Sequence, residues 1–360
     1  MTASPLLAAD LLRNSARAYA RLVVERMQRE APDALARQLP ASFANPIADT
    51  EVRILTLAES VAVDRPALLA HSVRWYKVAF AHRQVHADYL PASLRTTARV
   101  LAEELPEPCR AVVSRHLAMA LAELETAPAE LPSHLAAGGP MLDHARRFLL
   151  AVLEGRGDDA LDLLLKEIAR GTPVADLHDH VLTRTQAEIG RMWVMGEIPI
   201  ADEHYGSVVM SRALYMLSQA TPPAPKEAPR LLALSVGGNL HEFGIRMVGD
   251  RFALAGWNVM NLGANMPAED LEWTLADRSF DLVALSATMA IHVGAAARTI
   301  AQLRAILGTR CPPVLVGGEP FRVVPDLHTC IGADASAADA VSAVAAGQRL
   351  LNARRAPTRS

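Results

Sequence analysis

The 360-residue sequence is poor in cysteine, with only Cys109, Cys311 and Cys330. Three widely separated thiols make neither a thiolate metal site nor a disulfide framework, so a reducing compartment is expected. An excess of charge of one sign is also absent. The net charge of −3 gives no support to nucleic-acid binding. No uninterrupted apolar run is long enough to span a bilayer. The N-terminus lacks the basic-then-apolar pattern of a secretory signal. A soluble, cytoplasmic protein is the expectation. Nucleotide signatures are missing as well. Gly237-Gly238 and Gly244 do not form Gly-x-Gly-x-x-Gly, and no Walker pattern occurs.

What is present is a hydrophobic, globular composition, 51% apolar and 21% charged, long enough for two or three domains. Residues 1–126 read as helices, with apolar faces begun by Leu11, Leu12, Tyr19, Leu22 and Val23. A Pro- and Gly-rich linker is expected at 127–140. Residues 141–220 read as a bundle of four helices, at 141–155, 158–169, 173–193 and 199–219. Thr221-Pro222-Pro223-Ala224-Pro225 opens a stiff linker to 229. Residues 230–352 alternate strand and helix, with strands at 230–236, 256–261, 281–286, 313–316 and 329–331, and a tail at 353–360. That alternation predicts a doubly wound parallel sheet of five strands in flavodoxin-like order. The fold class is therefore α + α/β.

His241 stands just beyond the first of these strands, where open α/β sheets bind ligands. A neutral imidazole there is a candidate transition-metal ligand. A lone histidine after a strand is more often a plain loop residue. Here, however, the strand ends at positions 262–267, 286–288 and 317–318 also carry small or hydroxyl residues. Together with His241 they bring four loops to one sheet edge.

The run Asn239-Leu240-His241-Glu242-Phe243-Gly244 resembles the Asp-x-His-x-x-Gly motif of methionine-synthase-type cobalamin-binding domains, with Asn239 at the aspartate position. Leu262-Gly263-Ala264-Asn265-Met266-Pro267, Ser286-Ala287-Thr288 and Gly317-Gly318 resemble that family's later loops. The resemblance implies His241 as lower axial cobalt ligand and Asn239 as the partner of its second ring nitrogen. It also implies a cofactor nucleotide tail lying along Gly244, Gly263, Ser286, Thr288, Gly317 and Gly318. Glycine permits close backbone approach there, and the hydroxyls can donate hydrogen bonds.

The second helical block resembles the cap of CarH-type cobalamin light sensors, where a Trp is followed ten residues later by Glu-His. Trp193, Glu203 and His204 match that spacing. They imply an upper face covering an adenosyl group, with Val194 where that family has histidine. A light state ligated by residue 194 is thereby excluded. The alternative is a core tryptophan and a solvated Glu-His pair. Asp176, His178, Asp179 and His180 do not share a helix face and are expected as solvated capping residues rather than a metal site.

Residues 1–126 hold no convincing helix-turn-helix, since Leu57 to Trp75 lacks the expected tight turn. Their helix pattern and order resemble the N-terminal region of photocobilins, which implies biliverdin as a second chromophore. Trp75, Tyr76, His82, Arg83 and His86 are the candidate bilin-binding residues. A core aromatic helix with a basic solvated face is the competing reading.

The expectation is a cobalamin-dependent light sensor rather than an enzyme. It would bind adenosylcobalamin, change oligomeric state on illumination and signal through a partner protein, with no nucleic-acid or membrane partner. The alternatives are a corrinoid carrier of a methyltransferase system and a non-photochemical cobalamin sensor.

Overall fold

The computed structural model describes residues 5–35, 45–276 and 278–355. The first unit is all helical: α1 (Pro5–Glu30), α2 (Pro32–Leu35), α3 (Pro46–Ala62), α4 (Ala67–Ala81), α5 (Tyr89–Glu104) and α6 (Glu107–Thr126). Its core is built on Leu12, Met27, Leu57, Leu69, Tyr89 and Leu101. Asn45 starts α3 as an N-cap, its side-chain oxygen accepting from the backbone of Ile47 and Ala48 at 3.1 Å each. A tight connection between α3 and α4 does exist, turning at Asp64 with φ of 50°. This corrects the sequence expectation. The second helix, α4, also packs on the sheet domain, where Leu68 is buried in the core.

The cap comprises α7 (Leu142–Leu153), α8 (Gly157–Ala169), α9 (Val174–Asp176), α10 (Thr183–Val194) and α11 (Ile200–Gln219). A π-helical turn, Leu177–Leu182, joins α9 to α10 in a continuous rod. The π turn changes one expectation. His178 is fully buried rather than solvated. Neither of its ring nitrogens has a hydrogen-bond partner. Burial pushes its pKa down to about 4, with the nearby Arg251 adding to the effect. No group of three metal-binding side chains forms among the described residues.

The third unit is a sheet of five parallel strands: β1 (Arg230–Ser235), β2 (Asn258–Asn261), β3 (Leu282–Ser286), β4 (Val314–Gly317) and β5 (Ala335–Ala337). Their order is β2-β1-β3-β4-β5, the flavodoxin-like arrangement. Alternate residues enter two different cores. Leu232, Leu234, Val283 and Leu285 face one side, and Leu231, Ala233, Leu282 and Ala284 the other. The helices are α12 (Phe243–Leu254), α13 (Leu271–Ala276), α14 (Val293–Leu307), α15 (Glu319–Val323), α16 (Leu327–Cys330) and α17 (Ala340–Arg355). The strand expected at 329–331 is instead the end of α16 and the turn after it, and β5 follows a few residues later. Helix α17 takes in residues 353–355 of the expected tail. The rest of that tail lies outside the described residues.

The expected linker at 127–140 has no helix or strand but is tied down. The His134 backbone N–H donates to Glu188 at 2.7 Å, and Arg146 donates to the Leu135 carbonyl at 2.8 Å. The N-terminal unit is fastened to the sheet by the Arg65–Asp326 ion pair and by His71 near Glu319. None of the helices among the described residues is long and apolar enough to cross a membrane.

Candidate functional site

Topology reverses between β1 and β3, so the loops after these strands diverge and leave a crevice at their carboxyl ends. Asn239 lies fully buried in the first loop. Its Nδ2 donates to the Ser286 carbonyl at 3.1 Å and to the Thr288 hydroxyl at 3.2 Å. Those two donations orient the amide and turn Oδ1 toward His241. Oδ1 accepts from the His241 backbone N–H and from Nδ1, both at 3.2 Å. In the neutral ring this contact places the proton on Nδ1 and leaves the lone pair on Nε2. His241 as a residue is exposed. An exposed histidine held through Nδ1 has the form of a metal ligand with an outer partner. Asparagine supplies the acceptor without the charge of aspartate.

Two residues that the sequence pattern did not single out stitch this loop. Asn265, at φ of 54°, accepts from the Gly238 backbone at 2.7 Å, and its own N–H donates to the Asn239 carbonyl at 2.9 Å. His292, on a 3₁₀ turn leading into α14, is buried close to His241 and Gly238. Burial first, then the charge of His241, pushes its pKa down to about 4. Only the crowding of polar loop ends could have flagged either residue.

The glycines have more than one reason to be glycine. At Gly318, with φ of 121°, a Cβ would lie 2.1 Å from the Ala287 carbonyl oxygen. The chain's own packing therefore excludes a side chain there. Gly263 needs φ of 73°, and a Cβ on it would lie 3.1 Å from a Glu242 carboxylate oxygen. A Cβ on Gly317 would be 3.4 Å from the Ala337 carbonyl oxygen, and Gly244 faces open space. Close approach by a nucleotide tail is thus not needed to explain Gly318.

The cap meets the sheet beside His241. Helix α12 starts two residues after it and sends Phe243 and Met247 into the cap core. Arg246 donates to the Ser211 carbonyl at 3.3 Å. On the cap, Glu203 has both carboxylate oxygens engaged, one by His204 at 2.7 Å and one by Ser207 at 3.0 Å. The His204 side chain is 73% exposed. Trp193 lies against Trp75, with ring centroids 6.2 Å apart, and under the Arg83 guanidinium at 4.7 Å. Val194, expected on the upper face, lies at the contact with the N-terminal helices. It is buried against Val78 and Ala79 of α4, an apolar side chain filling an interdomain contact.

Of the bilin candidates, Trp75 and Tyr76 meet edge to face, with ring centroids 5.2 Å apart. Tyr76 packs on Phe80 and beneath Arg53. His82 bonds the Ala129 carbonyl at 2.9 Å, and His86 accepts from the Asp88 backbone at 3.2 Å. Arg83 donates to the carbonyls of Trp193 and Val194. Its guanidinium thus ties the N-terminal helices to the cap.

Comparison with known proteins fits this geometry. Residues 229–346 and 144–218 each match a family model described as B12 binding domain. The HTH-type transcriptional repressor CarA of Myxococcus xanthus is 33% identical over 122 residues, 34% of this chain and 41% of that protein. CarH of the same organism, also an HTH-type transcriptional repressor, is 27% identical over 183 residues, 51% of this chain and 60% of that protein. The chain thus spans roughly half the length of these two relatives. A corrinoid protein of Desulfitobacterium hafniense is 24% identical over 208 residues, 56% of this chain and 94% of that protein. The monomethylamine corrinoid protein of Methanosarcina barkeri shares the fold at TM-score 0.51 and 21% identity, covering 58% of this chain and 99% of its own. Residues 144–218 and 229–346, the second of which carries His241, are thus B12 binding domains, and this part of the chain is similar to the CarH-type cobalamin-binding proteins.

Proposed function

We propose that the chain is a cobalamin-dependent light sensor, with adenosylcobalamin between the cap and the sheet. The observation that carries this reading is the union of two features. His241 is held through Nδ1 by Asn239, and the upper-face Trp193 is packed directly on a further domain. The first suits a lower cobalt ligand. The second gives a change at the upper face a route into the N-terminal helices. Adenosylcobalamin supplies a cobalt–carbon bond that visible light cleaves.

The residues of the chain do the rest. Asn239 keeps Nε2 of His241 as the lone-pair nitrogen, and Ser286 and Thr288 keep Asn239 in place. Glu203 accepts hydrogen bonds from a ribose, and the Trp193 indole packs against a flat base. Loss of an upper group would take a partner from both side chains and so bias the packing of cap on sheet. The exposed Leu165, Val208 and Tyr215 on the cap support a change of oligomeric state as the readout. With α4 packed on the sheet, signalling runs through a partner protein rather than through α3–α4 bound to DNA.

The second reading is a corrinoid carrier, favoured by the match along 94% of a corrinoid protein. A carrier needs an upper face that opens to partner enzymes, and Trp193 is instead held from behind. One experiment separates the readings. The protein is loaded with adenosylcobalamin in darkness and then exposed to green light, while absorbance and elution volume are followed. Fast photolysis with a shift in size supports the sensor. Slow photolysis at constant size supports the carrier.

A further inference from the structure

The end of α10 is gripped by the end of α4. The last carbonyls of a helix have no N–H partner within it and carry the negative end of its dipole. Arg83 donates to two of them, at Val194 and at Trp193, whose carbonyl also accepts from the Gly196 backbone at 3.1 Å, and lays its guanidinium over the Trp193 ring at 4.7 Å. Trp75 flanks the same indole. Val194 closes the contact against Val78 and Ala79. The turn that follows is equally tight. At Gly196, with φ of 68°, a Cβ would lie 2.8 Å from the His82 carbonyl oxygen. This turn leads directly into α11, which carries Glu203 and His204. One arginine of the N-terminal domain therefore anchors the segment from which the whole upper face projects.

We propose that Arg83 is a positioning residue for the upper face, through which the N-terminal domain sets the preference of the site for a cofactor bearing an adenosyl group. The inference rests on the reading of the site given above. A guanidinium is suited to the task because its planar fork serves two carbonyls while its face covers a ring. Lysine keeps the charge but can do only part of this. The consequence is a ligand preference governed by a domain that contributes no ligand to the cobalt.

The test uses the full chain and the variants Arg83→Lys and Arg83→Ala. Each is titrated in darkness with adenosylcobalamin and, separately, with hydroxocobalamin. Arg83→Ala is expected to weaken adenosylcobalamin binding about tenfold and to leave hydroxocobalamin within about twofold, with Arg83→Lys between. Equal weakening for both forms, or none for either, overturns the proposal. A wild-type chain that does not prefer adenosylcobalamin overturns the underlying reading, and the proposal with it. Amide hydrogen exchange of residues 190–199 in cofactor-free protein tests the grip on its own. Faster exchange in Arg83→Ala, partly restored in Arg83→Lys, is expected. Wild-type exchange in Arg83→Ala overturns the positioning role whatever the titrations give.

Discussion

The two sides of the site are built differently. The lower side comes from a single domain. Asn239 is buried, makes two donations and two acceptances, and fixes His241 with groups no farther away than the next strand end. The upper side is shared. Trp193 belongs to the cap but is held by Arg83 and Trp75 from the N-terminal helices, while His204 stands in solvent. A side built from one rigid loop is preorganised. A side assembled from two domains can be altered by moving either one. Under the proposed function, the difference would give retention of the cofactor to the lower side and response to the upper.

The sharpest way to break this comparison is at His241. His241→Ala should abolish the histidine-ligated absorbance spectrum of bound cobalamin and weaken binding by about 100-fold or more. An unchanged spectrum would remove the lower side from the account. Next comes the joint between cap and sheet, where His178 is buried without hydrogen-bond partners. Its folded pKa of about 4 lies below the ordinary 6.5, so the fold favours the neutral ring. The unfolded chain takes up the proton first as pH falls. This contribution to stability is therefore complete above pH 6.5 and lost progressively between 6.5 and 4, by about 3 kcal/mol at most. Urea midpoints at pH 7.5 and 4.5 should differ less in His178→Gln than in the wild type.

Asn239→Ala should have a smaller effect than His241→Ala, weakening cobalamin binding by about 10- to 100-fold, since it frees the ring without removing it. Equilibrium titration measures this, and a loss equal to that of His241→Ala would show that Asn239 also builds the loop. The smallest effect belongs to the upper side. Glu203→Gln should weaken adenosylcobalamin about fivefold and spare hydroxocobalamin. Equal losses for both forms would place Glu203 in the support of α11 instead.

How far these sides were legible in the sequence follows from their construction. The alternation of strand and helix and the four cap helices follow from periodicity and local turn residues, which act within a few positions of each other, whereas the sheet order came from the rules of doubly wound folds and the His241 loop from its resemblance to cobalamin-binding domains. The fifth strand was misplaced because Ala335-Ser336-Ala337 lacks the branched side chains that mark a strand, while Cys330-Ile331 looks apolar enough to be one. His178 was misread because a π turn shifts the helical phase by a residue. Gly318 was assigned to a ligand when the Ala287 carbonyl already requires it. Arg83 and Val194 were beyond reach for a different reason. Their partner surfaces are each about 110 residues away along the chain, and periodicity carries no information about which domain faces which.

The account stands most directly on which nitrogen lies below the cobalt. Cobalamin bound to the protein is reduced to the cob(II)alamin form, and its electron paramagnetic resonance spectrum is recorded with natural-abundance and with ¹⁵N-histidine-labelled protein. Coordination by His241 predicts that the triplet splitting from a single ¹⁴N becomes a doublet on labelling. A triplet that survives labelling would mean that the cofactor keeps its own base, and would contradict the assignment of His241.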